Sequence, residues 1–106
     1  MNMTSEQQLV QDPENFIAHR QKLINALVGL WSSSIPADHL PTEQNFSGWL
    51  DTFGAEVAAA AIRRTANKAR TRQRSQSPMD AKELEAYATG TMKVMGRAAG
   101  FRGTGL

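Results

Sequence analysis

Apolar residues recur along most of this chain at three- and four-residue steps, the spacing that gathers them on one face of an α-helix. The first run holds Phe16, Ile17, Leu23, Ile24, Leu27, Val28, Leu30 and Trp31, a broad stripe of about five turns. Asp12-Pro13-Glu14 predicts its start. Asp12 can accept from unpaired amides, Pro13 lacks the donor that the first turn would leave unused, and Glu14 suits the positive end of the helix dipole. Ser32-Ser33-Ser34 weakens the helix and Pro36 stops it. Residues Ser32 to Pro41 then read as a connection, with Ile35 and Leu40 expected to pin it to the core.

Thr42 predicts the cap of a short second helix, in which Phe46, Trp49, Leu50 and Phe53 keep the i, i+3, i+4, i+7 spacing of one face. Gly54 suits the left-handed residue that ends such a helix, and Glu56 falls in the first turn of a third. That helix is expected to reach about Arg72, with Val57, Ala58, Ala61, Ile62, Thr65 and Ala69 inward. Ser77-Pro78-Met79-Asp80 then supplies a cap, a first-position proline and an early acid for a fourth. Leu84, Tyr87, Ala88, Met92, Val94, Met95 and Ala98 give it an apolar face, while Gly90 marks close packing or a bend. Gly100 to Leu106 holds too much glycine for a helix, and no window alternates as a strand would. The expected fold is all-α, a small bundle of about four helices. It divides into a flexible N-terminal segment (1–11), a single helical domain (12–99) and a mobile Gly-rich tail (100–106).

Composition narrows the picture without changing it. A chain of 106 residues with 41% apolar content suits one domain and one core. Cysteine is absent and histidine occurs twice, so disulfides and a structural zinc site are excluded and neither a metal nor another cofactor is expected. Met1 to Val10 has neither the basic nor the apolar part of a secretory signal, and no run is long enough for a membrane span. The expectation is a cytoplasmic protein with no membrane partner.

Charge changes the picture more. The net value is only +2, but residues up to Glu56 carry two basic and seven acidic side chains (−5), and the remainder carry ten and three (+7). A chain that is nearly neutral overall can therefore present a cationic face to a polyanion, or pair with its own copies through opposite patches. A homo-oligomer is permitted. The cations concentrate in Arg63, Arg64, Lys68, Arg70, Arg72 and Arg74, and no acidic residue occurs from Val57 to Met79. At about 100° per residue, Arg63, Arg70 and Arg74 project opposite the Val57/Ala61/Thr65 stripe, while Arg64, Lys68 and Arg72 form a row along its flank. Two such rows on one helix fit a phosphate backbone, whose neutralisation releases counterions and gives affinity without sequence preference. They also fit a solvated helix face whose cations favour the negative end of the dipole.

Other features carry less. Gln73 to Ser77 reads as a linker, and Phe101-Arg102 between glycines as part of a loose end. His19 reads as a helix-surface residue, and Asp38-His39 sits in a loop with no nucleophile or further carboxylate placed by sequence to form a chain of proton transfer. Asp80, Glu83 and Glu85 are explained by the start of a helix. Trp31, Trp49, Met92 and Met95 read as core, so no catalytic residue is assigned.

From Leu40 to Met95 the order Phe46, Trp49-Leu50, Phe53-Gly54, Val57, Ala61-Ile62, then Leu84 and Tyr87 resembles the helical domain of DnaD-like replication proteins of bacteria and their phages. In that family a tyrosine opens a Tyr-x-x-x-Ile-x-x-x-Trp element associated with DNA binding. Tyr87 fits its first position, and Thr91 and Met95 replace the other two. The resemblance implies a compact helical accessory in replication or DNA remodelling.

Charge and resemblance together predict a non-enzymatic nucleic-acid-binding accessory, of a kind that phages and mobile elements carry. It would hold the backbone of DNA or RNA, without sequence specificity, through Arg63, Arg64, Lys68, Arg70, Arg72 and Arg74. The alternative is a small inhibitor or adaptor that docks on a larger nucleic-acid-processing protein, with Trp31, Phe101 or Met95 as an apolar anchor if exposed.

Overall fold

The computed structural model describes the backbone of residues 13–104 and the side chains of residues 17–97. The expected flexible segment 1–11 lies outside the described residues, as does the proposed capping role of Asp12. The fold is all-α, with four helices in the order α1 (Pro13–Ser34), α2 (Glu43–Phe53), α3 (Ala55–Arg74) and α4 (Ala81–Thr104), and no strand among the described residues. The α4 backbone is helical as far as Thr104. The expectations for Ala98 and for 100–106 fall on residues whose side chains are not described.

Each helix end has a local cause. The α1 helix continues through the three serines to Ser34, one turn beyond the expected weakening, because a buried Ile35 holds its end and donates to the Trp31 carbonyl at 2.9 Å. Leu40 does not pin the connection, being 50% exposed; Pro41 is buried there instead. Thr42 caps α2 by accepting from the Asn45 amide at 3.2 Å. Gly54 alone joins α2 to α3. Its φ of 87° with ψ of 161° is a region that only glycine enters at little cost, and it lets the amide bond Leu50 while the carbonyl accepts from Ala58.

The α3 helix ends in a Schellman pattern, with Ser77 donating to the Arg72 carbonyl and Gln76 to the Gln73 carbonyl. Gln76 occupies the left-handed position at φ 63°. The cap of α4 is Asp80 and not Ser77. Asp80 accepts from the Glu83 amide at 2.8 Å, and Glu83 reaches back to the Asp80 amide at 3.4 Å. This is a reciprocal capping box, which an acid three residues before a glutamate can form directly. Ser77 is engaged elsewhere, by Arg72.

The core gathers Ile24, Leu27, Trp31 and Ile35 with Phe46 and Trp49, the inner face of α3, and Leu84, Ala88 and Met92 of α4. Alanines 58, 61, 66 and 69 are 5% exposed or less, and such short side chains let neighbouring helices approach α3 closely. Consequently α3 is the central element: α1, α2 and α4 all pack on it, while among the described residues α1 and α4 do not pack on each other. Two expected core residues face outward, Ile17 at 63% and Val94 at 64% exposure. In α4 the positions Leu84, Ala88, Met92 and Met95 complete the inward stripe, which turns Val94 toward solvent.

Candidate nucleic-acid interface

With neighbours on three sides, α3 has one side left for long polar groups, and its only acidic residue is Glu56 in the first turn. Arg63, Arg64, Lys68 and Arg74 are all exposed, and none has a hydrogen bond or ion pair among the described residues. They span about three turns of one helix. The other two predicted cations are tied into the fold. Arg70 donates to the Ser34 carbonyl at 3.1 Å and to Asn67 at 3.0 Å, so it bonds one of the carbonyls that the end of α1 leaves unpaired. Arg72 is half-buried and holds the α3–α4 connection, donating to the Ser77 carbonyl at 2.6 Å and to Glu83 at 3.1 Å. That ion pair is partly exposed at both ends, a setting worth about 0–1 kcal/mol.

These anchors also orient the two rows. Arg72 bonds α4, so Arg64, Lys68 and Arg72 run along the α4 flank of α3; Arg70 bonds α1, so Arg63, Arg70 and Arg74 run outward and toward α1. On the α4 flank lies a shallow groove of about 310 Å³, lined by Arg64 from α3 and by Tyr87, Gly90, Thr91 and Val94 from α4. Lys93 and Arg97 of α4 are exposed as well. The charge count of the C-terminal half included both residues, but nothing in their spacing related them to α3.

A second polar cluster was hidden in the sequence. His39 Nε2 is hydrogen-bonded to one oxygen of Glu85, and Asn45 donates to the other. The reading of Glu85 as only a favourable charge near a helix start is corrected: it bridges the α1–α2 connection and α2 to α4. Trp31 Nε1 donates to the His39 carbonyl at 2.8 Å, and Trp49 Nε1 to Thr89 Oγ1 at 3.0 Å. The Thr89 hydroxyl in turn donates to the Glu85 carbonyl at 2.8 Å. These bonds tie α1, the α1–α2 connection, α2 and α4 together, and the Thr89 hydroxyl is engaged in two of them. Its chemistry is that of a clasp. Trp31 and Trp49 are buried, as expected, and His19 is exposed.

Among the described residues no group of three or more His, Asp or Glu side chains is arranged to hold a metal ion. No described helix is long and apolar enough to cross a membrane. No family model, curated protein or solved structure matches the chain.

Proposed function

We propose that this protein is a non-enzymatic nucleic-acid-binding accessory that grips phosphate backbone through α3, in the cytoplasm. The observation that carries the reading is the set Arg63, Arg64, Lys68 and Arg74, exposed on one side of one helix with no carboxylate paired to any of them among the described residues. Cations with internal partners would lose those bonds on meeting a phosphate; these four lose only water and counterions. The resemblance to DnaD-like helical domains points the same way, toward a replication-related role.

Fluorescence anisotropy with labelled DNA and RNA over a salt series tests it. Four phosphate contacts correspond to a log–log salt slope of about −3 to −4. A variant with Arg63, Arg64, Lys68 and Arg74 changed to Glu should lose binding while keeping its helical circular dichroism, because Arg70 and Arg72 still hold the fold. No binding of the wild-type protein at low salt contradicts the proposal and favours a protein partner.

A further inference from the structure

The groove between α3 and α4 offers more than a phosphate site. Arg64 and the Tyr87 and Thr91 hydroxyls can donate to an anion, but the lining also presents a half-buried aromatic ring at Tyr87 and an apolar Val94 that is 64% exposed. Its volume of about 310 Å³ sits at the small end of the roughly 300–1,000 Å³ usual for small-molecule sites, and it has room for a planar ring. Gly90, on the α4 side of the groove, does not serve the close packing expected of it. A Cβ built on Gly90 would meet nothing within 4 Å, so packing inside the protein does not require glycine there. A glycine in mid-helix costs about 1 kcal/mol relative to alanine. Glycine at 96 is different, since its Cβ would lie 3.1 Å from the Phe53 ring.

We infer that this groove receives an unstacked nucleobase, and that the nucleic acid bound is single-stranded. The inference rests on the proposed backbone-binding role of α3 and adds the ligand class to it. A duplex presents helices with phosphates and groove edges, and its base faces are closed by stacking. A single strand offers both a flat apolar face and a phosphate a few ångströms away. Here the flat face meets Tyr87 and Val94 across the gap left by Gly90, and the adjoining phosphates meet Arg64 and Lys68, one turn apart on the same flank of α3. The cation and the aromatic ring are supplied by different helices, which fixes their separation through the fold.

The test compares a short labelled oligothymidylate with a duplex of equal length at one low salt concentration. Four proteins are measured: wild type, Gly90→Leu, Tyr87→Leu and, as control, Gly48→Leu. Gly48 is an exposed mid-helix glycine of α2 whose Cβ would likewise meet nothing. Both glycine substitutions should keep the fold, because leucine is the better helix former. The groove predicts that wild type prefers the single strand. It also predicts that Gly90→Leu and Tyr87→Leu weaken that binding about five- to a hundredfold with duplex binding little changed, and that Gly48→Leu matches wild type. Equal binding of both forms, unaltered by Gly90→Leu, would overturn the groove and leave the backbone reading standing. No binding of either form would overturn both.

Discussion

Trp31 shows what a single side chain does in this protein. It is 1% exposed, lies at 5.9 Å from Trp49 with nearly parallel rings, meets Phe46 edge-on, and bonds the His39 carbonyl through its indole nitrogen. Trp31→Phe removes ring volume and the bond from the core to the His39 carbonyl of the α1–α2 connection, so it should destabilise the protein by roughly 2–3 kcal/mol. Urea unfolding checks this; a change below about 0.5 kcal/mol, the scale of an ordinary surface substitution, would mean that the connection is held by other contacts. The aromatic core was legible at this scale, since Phe46 and Trp49 sit at helical spacing within a short capped segment. The His39–Glu85 pair was not. Its members are 46 positions apart, and a single polar contact leaves no periodic trace. Val94 misled for a related reason: an apolar residue at the margin of a stripe is consistent with either side, and only the neighbouring helix decides.

At the scale of elements, the helix ends carry most of the specification. The α4 start is held by the reciprocal Asp80 and Glu83 bonds, so Asp80→Ala should cost about 1 kcal/mol. Gln76, left-handed at the end of α3, pays a conformational penalty that glycine avoids; Gln76→Gly should leave stability unchanged or raise it by up to about 1 kcal/mol. Thermal unfolding should come earlier for Asp80→Ala and no earlier for Gln76→Gly than for wild type, and a loss from Gln76→Gly would contradict this account of the turn. Four helices and their order could be read from apolar spacing and breakers. The cap of α4 was misplaced because Ser77-Pro78 and Asp80 both satisfy the rules for a helix start, and the choice was made by Arg72, which draws Ser77 back to α3.

At the scale of the molecule, the central place of α3 connects the fold to the proposed function. Its alanine face lets three helices pack on it, and that packing leaves one side for cations. The density of positive charge between residues 63 and 74 was visible in the sequence. Its division into two arginines that hold the fold and four cations turned to solvent was not, because it depends on where the end of α1 and the α3–α4 connection arrive. The groove on the α4 flank was equally hidden, being made from two helices whose relative placement no spacing rule supplies.

Amide chemical-shift mapping of the isotope-labelled protein, titrated with a short single-stranded oligonucleotide at low salt, tests the central claim most directly. The account predicts that the perturbed amides cluster on α3 between Arg63 and Arg74 and on α4 between Tyr87 and Val94, with α2 nearly silent and the shifts reversed by added salt. Perturbations centred on α2 or on the His39–Glu85 clasp, or none at saturating oligonucleotide, would contradict it.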